Sequence, residues 1–231
     1  MCVIWYKCLT LQCLMVKLNM KKEYKNLLFD LGGVILDLKR SACVEAFKKL
    51  GLENAENVFG EYSQTGVFLA LEEGLVSPEE FRAEVRTLLT QNVTDDEIDD
   101  AFGEFLVGIP LHRLKALEKL REDYKIYLLS NTNPIHINKK IKEFFGVDNK
   151  ELDNYFDGKV LSYLAKASKP NPKIFEYTIN HLGIKPEETL FLDDSQRNLD
   201  AASKFGFGVA LVEPGTEFVD VLKSVGVIDG E

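Results

Sequence analysis

A lone aspartate follows an apolar run near the start of the chain, and two glycines follow it closely. The segment LLFDLGG spans residues 27–33 and contains Asp30. A carboxylate at the end of a buried strand is costly unless a cation, a ligand or hydrogen-bond donors offset its charge. The glycines allow a sharp turn and close approach of a ligand to the backbone. The pattern is typical of an α/β protein that presents a nucleophile at a strand end, although an ordinary turn aspartate fits it too.

Three further segments place polar side chains beside predicted strands. Ser130 ends the run KIYLLS and Asn131 follows it, Lys169 precedes a proline before a predicted helix, and Asp193 and Asp194 follow FL. Hydroxyl and amide groups can bind an anion, and a fixed lysine can neutralise a phosphate or paired carboxylates. Adjacent carboxylates favour a hard cation such as Mg²⁺. A polar turn or a solvated lysine would explain the first two segments singly, but their shared position favours a single site.

Asn198 lies four residues beyond Asp194 in the sequence. It is expected to hydrogen-bond the groups around a bound metal, or else to cap a helix or face solvent.

The elements that must position these residues alternate between strands and helices. Helical patterns at 111–122 and 172–182 separate the apolar runs, and this spacing predicts an α/β fold, Rossmann-like, with a mostly parallel sheet. Strands are predicted at residues 25–30, 125–130, 189–193 and 208–212, and with weaker support at 157–161.

One interval is too long for a simple connection between strands. Residues 40–107 carry helical periodicity, and two helix starts are marked by capping-box patterns at Ser77 and Thr94. We therefore predict a small helical cap at 40–107, inserted into a core domain formed by residues 25–39 and 108–231. Residues 1–24 are predicted to be an N-terminal extension, from a misassigned start codon or, alternatively, a weak signal or anchor.

Composition narrows the classes of partner. The chain has 231 residues and a net charge of −9, which disfavours nucleic acid and anionic membrane surfaces as partners. Four cysteines, three of them in the first 13 residues, form no zinc-binding pattern. A chain of this size needs no disulfides, so a cytoplasmic location is expected.

The order FDLGGV, LLSNTN, SKPNPKIF and FLDDSQRN resembles the four motifs of the haloacid dehalogenase-like (HAD) hydrolase superfamily. Within it, the motifs resemble those of the bacterial α-D-glucose-1-phosphate phosphatase group. That resemblance implies an Mg²⁺-dependent phosphatase acting on a small phosphorylated metabolite, namely a sugar phosphate. Its motifs imply roles for seven residues. Asp30 would be the nucleophile, and Ser130, Asn131 and Lys169 would bind the phosphate. Asp30, Asp194 and the carbonyl of Gly32 would bind the metal, and Asp193 would support them.

The first motif departs from the usual pattern of phosphatases in this superfamily. Gly32 stands where most of them carry a second aspartate as general acid and base, and a missing general acid costs about 10²–10⁴-fold in rate. Two alternatives therefore stay open beside the phosphatase: a binding or regulatory protein with little turnover, and a metal-free 2-haloacid dehalogenase. The adjacent acids Asp193 and Asp194 argue against the dehalogenase.

Substrate choice would depend on the cap. Thr65, Gly66, Phe68 and Glu72 lie where a cap loop could face the site, but the simpler expectation is that Phe68 packs within the cap and Glu72 is solvated. The sequence makes no prediction about oligomeric state.

Overall fold

The computed structural model describes residues 24–53, 55–58 and 66–229. The predicted N-terminal extension therefore lies outside the described residues apart from Tyr24, and so does Thr65. Across the described residues, no helix has both the length and the apolar character needed to cross a membrane.

A five-stranded parallel sheet forms the centre of the molecule. Its strands are β1 (Asn26–Phe29), β4 (Lys125–Ser130), β5 (Gly158–Leu161), β6 (Thr189–Asp193) and β7 (Gly208–Leu211), in the order β5-β4-β1-β6-β7. A separate antiparallel pair joins β2 (Asp37–Leu38) to β3 (Leu106–Gly108). The parallel α/β fold predicted from the alternating pattern is confirmed, including the weakly supported strand β5.

The register of the sheet brings the predicted site residues to one edge. Phe29 of β1 pairs with Leu128 of β4 on one side and with Leu192 of β6 on the other. The residues that follow these positions therefore emerge side by side at the carboxyl ends of three neighbouring strands, which is where ligands bind in open α/β sheets.

Apolar side chains on both faces of the sheet hold it in place. Leu27 and Phe29 belong to one hydrophobic cluster, while Leu28, between them in β1, belongs to the other. This alternation follows from the two-residue period of a strand, and helices cover both faces. The helices of this part of the chain are Leu111–Leu120, Pro134–His136, Lys142–Phe145, Leu152–Tyr155, Ser162–Ala165, Pro172–Leu182, Gln196–Ser203 and Phe218–Ser224, with a π-helical turn at Ile137–Ile141 and 3₁₀ turns at Val147–Asn149 and Pro186–Glu188.

The segment between β2 and β3 is helical and has its own apolar core. Phe68 packs edge-on against Phe47 and Phe81 at ring-centroid distances of 5.4 and 5.1 Å, so its predicted packing role is confirmed. Capping boxes at Ser77 and Thr94 begin two of the helices, as their sequences predict. The helices of this segment are Arg40–Lys49, Ala55–Val58, Gly66–Glu72, Pro78–Leu88 and Asp95–Gly103.

Polar contacts join these helices to the side of the sheet that carries the strand ends. The Lys139 ammonium lies 3.2 Å from an Asp96 carboxylate oxygen and 3.5 Å from one of Asp99. His136 Nε2 lies 3.1 Å from the carbonyl oxygen of Phe102. The helical segment is thus held over the carboxyl edge of the sheet.

Candidate active site

Three carboxylates converge at the carboxyl edge of the sheet. Asp30, Asp193 and Asp194 each offer an oxygen, and these oxygens lie within 4.8 Å of one another. Asp30 follows β1, and the two others lie at the end of β6, its neighbour in the sheet. The parallel register therefore makes this cluster from residues more than 160 positions apart.

Lys169 supplies the opposite charge. Its ammonium lies 2.7 Å from Asp30 Oδ1 and 2.8 Å from Asp193 Oδ2, and it donates to the carbonyl oxygen of Leu129 at 3.0 Å. The side chain is 1% exposed. All three N–H donors thus have acceptors, which fixes the position of a cation that would otherwise be costly to bury.

Both carboxylate oxygens of Asp193 already contact other groups of the protein. Oδ2 pairs with Lys169, while Oδ1 accepts from the backbone N–H of Ser195 at 2.8 Å and from Asn198 Nδ2 at 2.9 Å. Asn198 therefore contacts the acidic pair and is buried rather than solvent-facing. Asp193 is arranged to hold the lysine more than to bind a ligand.

Asp30 keeps one oxygen free of such contacts. Its Oδ1 accepts from the backbone N–H of Leu31 at 2.7 Å and from Lys169, whereas Oδ2 accepts no hydrogen bond from any of the described residues. Asp194 is only partly buried. The geometry thus leaves Asp30 and Asp194 available to a cation or a reacting group.

The crowding of charges shifts the protonation of these acids. Burial raises the pKa of Asp30 to about 8, and the neighbouring Asp193 and Asp194 add to this although Lys169 opposes it. Burial and Asp193 raise the pKa of Asp194 to about 6. Burial alone would lower the pKa of Lys169, but attraction to Asp193 and Asp30 outweighs it, so the lysine stays charged.

The turn after β4 connects Asn131 to the segment that carries Lys169. The Asn131 side chain donates through Nδ2 to the Lys169 carbonyl oxygen at 3.0 Å and accepts from the Lys169 N–H at 2.8 Å. It therefore fixes the lysine loop, with one of its amide N–H donors and its amide oxygen engaged by the Lys169 main chain. Ser130 Oγ has only a long contact of 3.4 Å to the carbonyl oxygen of Asn131, which leaves its hydroxyl available.

A small cavity of about 50 Å³ lies between the strand ends and the helical segment. The site residues Gly32, Ser130 and Asn131 line it from the sheet side, and the other polar lining residues include Glu72 and His136. A volume that holds a water or two is too small for a metabolite.

The sequence named Glu72 only as one of several cap residues that could face the site, and it gave no indication of His136. Glu72 is 9% exposed, so the expectation that it is solvated is wrong. His136 is buried and neutral, because burial lowers its pKa to about 4; Asn133 Nδ2 donates to its Nδ1 at 3.1 Å. Neither stood in a motif, and the position of Glu72 on the last turn of an apolar helix was its only signal in the sequence.

A family model for haloacid dehalogenase-like hydrolases matches residues 24–206. The chain belongs to this family. The four sequence motifs lie at the carboxyl edge of the sheet described above, in keeping with that membership.

The family relatives include proteins of similar size. The chain is 39% identical over 194 residues to a D-ribitol-5-phosphate phosphatase from Bacteroides thetaiotaomicron, covering 84% of this chain and 94% of that protein. It is similar to a solved HAD family enzyme of the same organism, in complex with magnesium and inorganic phosphate, at 42% identity and a TM-score of 0.80, covering 85% and 98% of the two chains. A predicted HAD-like hydrolase from Porphyromonas gingivalis shares 33% identity at a TM-score of 0.81, covering 90% and 99%.

Gly33 approaches the acidic cluster so closely that a side chain has no room there. It adopts a φ of +75°, and a Cβ at this position would lie 2.1 Å from Asp194 Oδ2. We expect Gly33→Ala to destabilise the fold by at least about 1–2 kcal/mol through its backbone conformation alone. Because Asp194 must shift, Mg²⁺ binding should weaken by about tenfold or more. Urea unfolding and calorimetric titration with Mg²⁺ measure the two effects.

Gly183→Ala is the matched control for that substitution. Gly183, at the end of the helix Pro172–Leu182, also has a positive φ, of +64°, but a Cβ there would meet no atom within 4 Å. If Gly183→Ala weakened Mg²⁺ binding as much as Gly33→Ala, the close approach to Asp194 would not be the cause.

The raised acid pKa values predict pH-dependent cation binding. Asp30, with a pKa of about 8, and Asp194, with a pKa of about 6, are protonated below those values without metal and must ionise to bind a cation. We expect the Mg²⁺ affinity to rise between pH 6 and 8 by up to about tenfold per pH unit for each proton displaced. Titration calorimetry in buffers of different ionisation enthalpy should show proton release, and a pH-independent affinity would contradict the prediction.

Proposed function

We propose that this protein is an Mg²⁺-dependent phosphatase that hydrolyses a small sugar or polyol phosphate through an aspartyl-phosphate on Asp30. The observation that carries the proposal is the difference between the contacts of the two carboxylate oxygens of Asp30. One of its oxygens is held at 2.7 Å by a buried lysine, while the other accepts no hydrogen bond from the described residues and lies in a cluster of carboxylates. A nucleophile needs this combination of fixed orientation and an open oxygen.

The residues of the cluster fit an Mg²⁺ ion. Oxygen ligands are the kind that this hard cation takes, and it needs few of them from the protein because it keeps water or substrate oxygens. We assign Asp30 and Asp194 as side-chain ligands and the carbonyl of Gly32 as a third ligand. A bound Mg²⁺ would neutralise the negative charge that otherwise builds up between the carboxylates and a phosphate.

The remaining roles follow from the contacts of this chain. The open oxygen of Asp30 attacks phosphorus, and its O–P bond forms as the bond to the leaving oxygen breaks; the alcohol leaves with a proton taken from solvent. Water then attacks the acyl phosphate, inorganic phosphate is released, the water's proton passes to solvent, and the carboxylate is restored. Lys169 holds Asp30 in place and offsets its charge, and Asp193 with Asn198 holds Lys169. The Ser130 hydroxyl and the backbone N–H of Asn131 bind phosphoryl oxygens.

The names of the relatives support the substrate class. A D-ribitol-5-phosphate phosphatase aligns with 84% of this chain, and the solved HAD family enzyme of the same organism carries magnesium and phosphate. The location proposed for this chain is the cytoplasm, and the proposed partner is a small phosphorylated metabolite rather than nucleic acid or a membrane. The helices between β2 and β3 act as the cap in this proposal.

A phosphate-release assay tests the proposal. Ribitol 5-phosphate, a panel of other polyol and sugar phosphates, and p-nitrophenyl phosphate are offered with Mg²⁺ and with a chelator. Turnover that depends on Mg²⁺ is expected. If no phosphate is released from any compound while Mg²⁺ still binds, the protein is a binding or regulatory member of the family. Halide release from a 2-haloacid without metal would instead indicate a dehalogenase.

A further inference from the structure

The main chain of Glu72 is tied to the turn that follows β4. The Ser162 hydroxyl donates to the carbonyl oxygen of Glu72 at 2.7 Å and lies 2.9 Å from the carbonyl oxygen of Thr132. The backbone N–H of Thr132 donates to the same hydroxyl at 2.9 Å. Ser162 is fully buried. One buried hydroxyl thus joins the last residue of the helix Gly66–Glu72 to the loop that carries the proposed phosphate ligands.

The side chain of Glu72 lies in the cavity without a polar partner. The residue is 9% exposed, and its side chain makes no hydrogen bond and no ion pair with any of the described residues. The adjacent Glu73 differs, because its Oε1 accepts from Ser168 Oγ at 2.7 Å. Of these two adjacent acids, Glu72 is therefore the one whose side chain has no polar partner among the described residues, and it lines the same cavity as Ser130 and Asn131.

An unpartnered buried carboxyl destabilises a protein unless a ligand completes its hydrogen bonds. Burial, with Glu73 adding to it, raises the pKa of Glu72 to about 8. The group can therefore accept hydrogen bonds in either state and also donate one when protonated. Hydroxyl groups of a polyol or sugar match this capacity, since each both donates and accepts.

We propose that Glu72 is a specificity-determining residue that hydrogen-bonds hydroxyl groups on the organic part of the substrate, and so selects polyol and sugar phosphates over phosphates without hydroxyls. The inference rests on the proposed phosphatase function. The phosphate would lie against Asp30 and Ser130 at the sheet edge. Glu72, on the helical segment, lines the cavity that Ser130 also lines. A side chain there meets the part of the molecule beyond the phosphate.

The experiment compares two substrates whose leaving oxygens are alike. One is the polyol or sugar phosphate that the wild-type protein hydrolyses fastest, and the other is pentyl phosphate, an alkyl phosphate that lacks hydroxyls. Glu72→Met keeps the length of the side chain and removes its hydrogen bonds. We expect kcat/KM for the hydroxylated substrate to fall about 10- to 100-fold, mainly through KM, because hydrogen bonds to the substrate are lost. The fall for pentyl phosphate should be at least tenfold smaller.

Two further variants sharpen the result. Glu72→Gln keeps the hydrogen-bonding capacity and should recover most of the lost kcat/KM, whereas Glu84→Gln makes the same change on an exposed residue and should alter neither substrate. Both Glu72 variants should melt no lower than the wild type, because they remove a buried acid without a partner. That measurement separates a folding defect from a binding defect.

The outcomes are distinct. Equal losses on both substrates would overturn the hydroxyl contact and indicate a proton donor to the leaving oxygen. Unchanged kcat/KM in Glu72→Met would overturn any role for the residue. Wild-type protein that hydrolyses neither substrate overturns the phosphatase proposal itself, and with it this inference.

Discussion

Asp30→Asn is expected to lower phosphatase turnover by at least about 10⁴-fold, because an amide oxygen is a poor nucleophile and no acyl phosphate can form. The substitution keeps the shape of the side chain, and its Oδ1 can still accept from Leu31 and Lys169 as the carboxylate does. We therefore expect a folded protein without activity. A mass increase of one phosphoryl group, trapped by acid quenching with acetyl phosphate and Mg²⁺, should appear in the wild type and be absent from the variant.

The pH dependence of stability should also differ between the wild type and this variant. The pKa of Asp30 is raised to about 8 in the fold, so the folded form without metal holds a proton that an unfolded chain releases near its usual pKa of about 4. Stability from this group is complete below pH 4 and is lost as the pH rises toward 8. Asp30→Asn should lose that part of the pH dependence. Unfolding in urea at pH 5 and pH 8, with chelator present, measures it.

Asp123→Asn is the matched control. Asp123 is exposed and lies in the turn before β4, so the same chemical change there should leave turnover and stability unaltered. Activity retained in Asp30→Asn, or a phosphoryl adduct still trapped on it, would remove Asp30 from the mechanism.

Lys169→Met should give the second large effect, on both stability and rate. The lysine is the shared partner of Asp30 and Asp193, and removing one partner of a buried ion pair typically costs about 3–5 kcal/mol. Turnover should fall by about 10³-fold, since a fixed charge beside the reacting groups is lost. Urea unfolding and the phosphate-release assay measure the two losses.

The loss of stability in Lys169→Met should depend on pH in a definite direction. Without the lysine, the pKa of Asp30 should rise further, because the lysine's charge opposes the effect of burial, and protonation of Asp30 relieves the repulsion at low pH. The deficit should therefore be smaller at pH 5 than at pH 8.

Two further variants serve as controls for Lys169→Met. Lys173→Met removes an exposed lysine from the same segment and should have little effect. Lys169→Arg keeps the charge, but a planar guanidinium matches the three acceptors poorly, so it should recover stability only in part. A deficit in Lys169→Met that is equal at the two pH values would show that lost packing, not unpaired charge, is responsible.

Local pattern was enough to predict the sheet and the edge at which the site lies. Apolar runs with a two-residue period and alternating helices specify parallel strands, and β4 and β6 have the predicted bounds. Chemistry at strand ends then follows from topology, because the carboxyl ends of neighbouring parallel strands meet at one edge. The convergence of Asp30, Lys169 and Asp194 could be predicted in this way because each stands in a local motif.

Only the tertiary structure decided how the individual polar groups are used. The Asn131 side chain hydrogen-bonds the Lys169 main chain, and both carboxylate oxygens of Asp193 have protein partners. No local sequence pattern distinguishes such groups from polar groups without a protein partner. Glu72 is buried in the cavity because its helix docks on Ser162, 90 residues away in the chain. Such roles depend on contacts between distant segments, whereas sequence periodicity records only which face of its own element a residue occupies.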